Sequence, residues 1–227
     1  MIDVIPGPEL DDKFMFFVTK LGLVKRVQMT EFLSIRQSGK IAISMREDDE
    51  LFGAMITSGN DEIIIAGDNG KAIRFNEQDV RPMGRNASGV IGFNTDGSMV
   101  VGCATNKMGE YILAVTEKGY GKKTPLEDYR MTKRGAKGVS TINITDKNGK
   151  LMAMRSVYGD EDVLIMTDNG TMIRISLDTV STYGRNTQGV KLINVDEGSR
   201  VATVALIAKE DESEEEAVDE ENSEVEE

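Results

Sequence analysis

The sequence predicts an all-β, propeller-like array of four-stranded blades, on three observations. One plan recurs four times along the 227 residues at a spacing close to 50. Each copy sets glycine turns between short apolar runs, and the first runs of several copies are apolar on both faces. A fixed period decides architecture before local propensity does, because each copy must hide its faces against the next.

The elements follow in order. Residues 2–5 read as the closing strand of a unit whose beginning lies upstream. Segments 14–27, 63–75, 111–124 and 163–175 each hold a strand, a turn and a second strand. Their turn glycines, Gly22, Gly70, Gly119 and Gly170, are separated by 48, 49 and 51 residues. Asp68-Asn69-Gly70 and Asp168-Asn169-Gly170 supply the positive φ values of tight hairpins. Ile63-Ile64-Ile65 and Val163-Leu164-Ile165-Met166 are apolar without alternation, as strands enclosed on both sides are. A short helix is expected near 124–129 and at its equivalents. A second glycine follows in every unit, at Gly39, Gly89, Gly138 and Gly189, each opening a further strand such as 41–43 or 190–195. The strands 51–56, 99–104, 151–157 and 201–207 then complete four per unit. The two glycines of the first unit stand 17 positions apart against 19 in the others, which predicts a tighter loop there. The expected divisions are residues 1–9, the end of a preceding blade; a domain over 10–209 with units near 10–60, 61–109, 110–161 and 162–209; and a tail over 210–227.

Charge separates the tail from the rest. The chain has 27 Lys+Arg and 39 Asp+Glu, for a formal net charge of −12. Twelve of those acids fall between Glu210 and Glu227, leaving 27 of each sign in residues 1–209. A segment so acidic and poor in apolar residues cannot offset the entropy of ordering and is expected to be disordered. The absence of His excludes Ser-His-Asp and Cys-His catalysis and removes the commonest metal ligand. A single Cys excludes an internal disulfide and fits a reducing cytoplasm. No apolar run approaches the roughly 20 residues of a membrane span, and no membrane partner is expected.

The recurring cations carry the functional signal. Arg26, Arg74, Lys123 and Arg174 each stand four residues beyond a turn glycine. Arg36, Arg85, Arg134 and Arg185 stand three or four before the second one. Repetition is expected to align them on one rim, where Arg and Lys suit phosphates without reading sequence. Arg81, Lys122, Lys133, Lys137 and Lys191 in the same neighbourhoods extend the track. The competing reading is a set of solubilising cations paired with Glu31, Asp79, Asp128 and Asp178, as in a protein-binding propeller with no nucleic-acid role.

Other features resemble sites without being them. Gly119-Tyr120-Gly121 lacks the third glycine and helix of a phosphate-cradling loop. Asp146-Lys147-Asn148-Gly149 has no ligand set of a calcium loop behind it. Tyr111, Tyr120, Tyr129, Tyr158 and Tyr183 stand without a carboxylate cluster suited to Mg²⁺. Cys103 is expected as a small core residue. No catalytic residue, metal site or cofactor is expected in this chain.

Longer motifs carry a family resemblance. Residues 116–126 (Thr-Glu-Lys-Gly-Tyr-Gly-Lys-Lys-Thr-Pro-Leu), 72–75 (Ala-Ile-Arg-Phe) with 79–85 (Asp-Val-Arg-Pro-Met-Gly-Arg), and 184–190 (Gly-Arg-Asn-Thr-Gln-Gly-Val) resemble the C-terminal domain of bacterial DNA gyrase A, in order and spacing, across 10–208. The resemblance implies a β-pinwheel whose basic perimeter binds double-stranded DNA and bends it around itself, supporting ATP-dependent negative supercoiling. The partners it implies are the rest of gyrase A and the gyrase B protein. Mg²⁺, ATP and the cleavage tyrosine belong to other parts of that assembly. The chain carries four of the family's usual six repeats, and the family's Gln-Arg-Arg-Gly-Gly-Arg-Gly box would lie upstream. The loop Lys133-Arg134-Gly135-Ala136-Lys137-Gly138 is a similar loop of a later blade. The corresponding domain of the topoisomerase IV A protein shares the repeat.

Overall fold

The computed structural model describes residues 10–33 and 39–207. Expectations for residues 2–5, for Arg36, for part of the short first loop and for the acidic tail lie outside the described residues. Among those described, all paired strands are antiparallel, and no helix is long and apolar enough to cross a membrane.

Each unit opens with a hairpin: β1 (Phe14–Thr19) and β2 (Leu23–Gln28), β4 (Glu62–Gly67) and β5 (Lys71–Asn76), β8 (Tyr111–Thr116) and β9 (Tyr120–Pro125), β12 (Asp162–Thr167) and β13 (Met172–Ser176). The expected short helix is a single 3-10 turn after each hairpin, at Met29–Phe32, Glu77–Asp79, Leu126–Asp128 and Leu177–Thr179. The last strand of each unit, β3 (Leu51–Thr57), β7 (Val100–Thr105), β11 (Leu151–Val157) or β15 (Val201–Ile207), pairs with the first strand of its own hairpin. Those last strands also pack one against the next, which puts them nearest the common axis.

The fourth strand corrects the sequence reading, which places it inside its own unit and makes it several residues long. It is two residues, β6 (Val90–Ile91), β10 (Val139–Ser140) or β14 (Val190–Lys191), and pairs with β2, β5 or β9 of the preceding unit. The sheets therefore run β3-β1-β2-β6, β10-β5-β4-β7 and β11-β8-β9-β14, with the donated strand outermost. The fourth sheet, β13-β12-β15, has three strands among the described residues.

Strand donation gives both repeated glycines their reason. Gly89 and Gly138 have φ of 94° and 72°, and a Cβ on either would lie 2.4 Å from the carbonyl oxygen of Val24 or Ala72 in the blade receiving the strand. Any larger residue would push the donated strand off its edge. The turn glycines face the same crossing from the other side. Gly22 O accepts from the amides of Gly92 and Phe93, and Gly119 O from those of Leu192 and Ile193. Gly39 and Gly170, at the two ends of the array, have nothing within 4 Å of such a Cβ.

The doubly apolar strands explain the core. Ile63 and Ile65 pack on Phe16, Val18 and Val24 of the first blade. Their neighbours Ile64 and Ala66, on the opposite face of β4, pack on Ile112 and Ala114 of the third. Leu113 and Val115 then meet Val163 and Ile165 of the fourth. Alternation along one strand thus serves two interfaces, and the core is a series of layers between blades. Cys103 lies within the first of these clusters, and burial pushes its thiol up to about 11, so it stays protonated at neutral pH.

Candidate nucleic-acid interface

The outermost strands define the perimeter, and the loops that flank them carry its charge. Each perimeter loop leaves the 3-10 turn, passes an exposed or half-buried run, reaches the second glycine and enters the donated strand. The three described in full cover 81–91, 130–140 and 181–191. They hold Arg81 and Arg85; Arg130, Lys133, Arg134 and Lys137; and Arg185 and Lys191.

The four cations beyond the turn glycines lie elsewhere than the rim. Arg26 pairs across the hairpin with Phe16 and Arg74 with Ile64, so each side chain shares a face with a residue turned toward the next blade. Arg26 is 6% exposed, stacks 4.5 Å over the Phe14 ring, stands 3.5 Å from Glu77 and donates to Gly59 O at 3.3 Å. Arg74 forms an ion pair with Glu62 and donates to Leu126 O at 2.8 Å and Tyr129 O at 3.0 Å. Lys123 is buried with its ammonium 5.5 Å from the Tyr111 ring. Arg174 bonds Asp162 at 2.6 Å with half of its side chain exposed, on the outer face of the fourth blade. Identical spacing makes all four resemble rim residues. Strand alternation turns three of them inward, and Arg26 and Arg74 tie one blade to the next.

The loop arginines are fastened to the rim. Arg85 donates to Ile41 O at 3.1 Å, Arg134 to Ile91 O at 2.9 Å and Arg185 to Ser140 O at 3.0 Å. Each acceptor stands two residues past the second glycine of the preceding unit. Every loop thereby clamps its predecessor, which sets the loops in a continuous file. Arg85 also lies 3.7 Å from Glu31, and Arg134 donates to Asp79 O at 2.9 Å. A guanidinium has five N–H donors, so one backbone bond leaves others for a phosphate.

Arg81, Lys133, Lys137 and Lys191 are exposed. Lys133 reaches Asp79 at 3.0 Å and Lys137 reaches Asp96 at 3.0 Å, and that hydrogen bond holds the Asp96 carboxyl below its ordinary range. Exposed pairs of this kind are weak and screened by salt, so phosphates can compete for the lysines. Arg81 and Lys191 have no carboxylate partner among the described residues, and Lys191 stands 5.6 Å from the Tyr120 ring. Lys147, 5.4 Å from the same ring, is a surface cation that spacing does not single out, because it falls outside the repeated positions.

Lys122, predicted as a binding residue, is 0% exposed. Its ammonium donates to Gly184 O at 2.6 Å, Arg185 O at 2.8 Å and Thr187 Oγ1 at 3.1 Å. Lys25 occupies the same place in the first blade and is not among the residues predicted from sequence. A signal for it exists: both lysines stand three residues past a turn glycine, where the other two units have Ile73 and Ile173.

Chemically, this surface can hold anions. Tyr129 is buried beside Thr141, and burial pushes its phenol up to about 12, away from any role as a nucleophile. No group of three or more acidic or Cys side chains stands close enough to hold a metal among the described residues.

The model of the DNA gyrase C-terminal domain, a beta-propeller, matches residues 13–58, 61–107, 110–157 and 161–208, one match per unit. The chain belongs to the DNA gyrase C-terminal domain family. It is 46% identical over 207 residues to the DNA gyrase A protein of Ureaplasma parvum, covering 91% of this chain and 25% of that protein. With the DNA gyrase A protein of Staphylococcus aureus it shares 44% over 219 residues, covering 95% of this chain and 24% of the relative. The chain thus spans about a quarter of the length of these relatives. A solved DNA gyrase A C-terminal domain superposes with a TM-score of 0.76 at 27% identity, over 87% of this chain and 66% of the other. The C-terminal domain of a DNA topoisomerase IV superposes with 0.83 at 24% identity, over 96% of this chain and 69% of the other, a likeness of fold alone. The four matched segments coincide with the four structural units, of which the last three each donate a strand.

Proposed function

We propose that this chain is a DNA-binding and DNA-bending region of DNA gyrase A, contributing to supercoiling by an assembly whose remaining parts, including the gyrase B protein, supply cleavage, Mg²⁺ and ATP hydrolysis in the cytoplasm. The observation that supports this best is the placement of Arg81, Lys133, Lys137 and Lys191 on loops beside the outermost strands, with Arg85, Arg134 and Arg185 fastened along the same file. A curved row of cations fits a bent duplex and carries no base readout. Bending through a right angle over a few tens of base pairs costs on the order of 1–6 kcal/mol. Several phosphate contacts are needed to offset that.

The expected result is salt-dependent, sequence-independent binding of a duplex of about 40 base pairs, followed by fluorescence anisotropy across salt concentrations. Four exposed cations neutralising four phosphates give a slope of log affinity against log salt of about −3.6, and engagement of the loop arginines steepens it. A slope near zero, or no binding in low salt, contradicts the proposal and favours the protein-binding reading.

A further inference from the structure

Lys25 and Lys122 sit where strand alternation calls for an apolar residue, and each is 0% exposed. An ammonium in such a place needs strong acceptors for its protons. Here they are supplied by carbonyls and a hydroxyl of the perimeter loops. Lys122 bonds Gly184 O, Arg185 O and Thr187 Oγ1; Lys25 bonds Ala42 O at 2.9 Å and Arg85 O.

Those bonds decide which way the loop peptides face. In a trans peptide the carbonyl and the following N–H point in opposite directions, and the described chain has no cis peptide bond. Drawing Gly184 O and Arg185 O inward onto Lys122 therefore turns the amides of Arg185 and Asn186 outward. Neither amide donates to a partner among the described residues. Successive N–H groups turned to one side form a concavity that takes anions, and the Arg185 guanidinium stands on the same loop. In the first blade, Arg85 O held on Lys25 turns the Asn86 amide outward in the same way. Glu31, close to Arg85, makes that the weaker of the two places for an anion.

We propose that Lys122 and Lys25 are positioning residues that hold the 184–188 and 84–88 loops as backbone seats for DNA phosphates. This rests on the DNA-binding reading above. The loop at 133–138, docked over Ile73 and its blade, has no such lysine beneath it and presents Lys133, Arg134 and Lys137 without that backbone anchor.

Titration of the lysines supplies a readout. Burial and the neighbouring Arg185 charge lower Lys122 to about 8, with Asp128 opposing. Burial and Arg85 lower Lys25 to about 8. Phosphate beside Arg185 or Arg85 offsets the guanidinium's repulsion and favours the charged lysine. Binding then takes up protons near pH 8, and affinity falls as pH rises through that value.

The test is NMR and anisotropy on the full chain with a short duplex at about pH 7 and about pH 9, either side of that titration, for the wild type, Lys122→Met and the Lys25→Met, Lys122→Met double variant. Wild type is expected to show amide shifts at Arg185 and Asn186 on binding at the lower pH, and a several-fold loss of affinity at the higher. Lys122→Met is expected to lose the two amide responses while those of Lys133 and Lys137 persist, and the double variant to bind with little pH dependence. Amides of Arg185 and Asn186 that stay silent while the duplex binds, or respond equally in Lys122→Met, overturn the proposal. Should the variants not fold, the wild type decides alone: amides of Arg185 and Asn186 that do not respond to the bound duplex overturn it. Absence of any duplex binding defeats the DNA-binding reading itself, a separate result from binding that bypasses these loops.

Discussion

Replacing Glu77 with Ala is expected to lower the unfolding free energy by about 3–5 kcal/mol, the usual cost of stranding the other member of a buried ion pair. Glu77 is 0% exposed and sits on the 3-10 turn of the second unit. Its carboxylate accepts from Thr57 Oγ1 at 2.7 Å and from the Asp61 amide at 2.7 Å, and faces Arg26 of the first blade at 3.5 Å. Removing it leaves a buried guanidinium, a hydroxyl and an amide without their acceptor at once. Among the described residues Arg26 then keeps the Phe14 face and Gly59 O, neither of which carries charge. Glu77→Gln keeps acceptor capacity without the charge and is expected to fall between wild type and Ala. Urea unfolding with a probe in each half of the chain checks this, because the residue joins the first two blades. A loss below about 1 kcal/mol, far under the cost of a stranded buried charge, would mean that apolar packing alone holds that junction.

The second large effect concerns binding rather than folding. Substituting Arg81, Lys133, Lys137 and Lys191 together by Ala is expected to flatten the salt dependence by about 3.6 in slope, at about 0.9 for each phosphate no longer neutralised. Exposed substitutions of this kind usually change stability by no more than about 0.5 kcal/mol each, so the fold should persist. Two of the four substitutions also leave Asp79 and Asp96 unpaired on the rim, which adds repulsion toward phosphate. An unchanged slope in the folded variant would place the duplex on another face.

The contrast between Arg81 and Arg26 marks how far the sequence can be read. The period of turn glycines and the doubly apolar runs reveal the blades, because each is a local signal repeated along the chain. Val90–Ile91 looks the same whichever sheet it joins. Its pairing with Leu23 and Val24 is a long-range contact and leaves no local trace. For the same reason spacing does not sort Arg26 from Arg81. It tells which face of a strand a side chain occupies, whereas what covers that face depends on the next blade. Lys25 and Lys122 do break the apolar pattern visibly, as charged residues at two of four equivalent strand positions, but only the loops laid over them explain why.

A file of perimeter cations that bends duplex DNA in one direction should leave a topological trace. Ligation of nicked circular DNA in the presence of saturating protein measures this most directly, through the linking number retained after deproteinisation. The expected distribution is displaced to one side of the protein-free control, and the displacement is lost in the four-residue Ala variant. A distribution centred on the control at full occupancy would contradict directional bending by this rim.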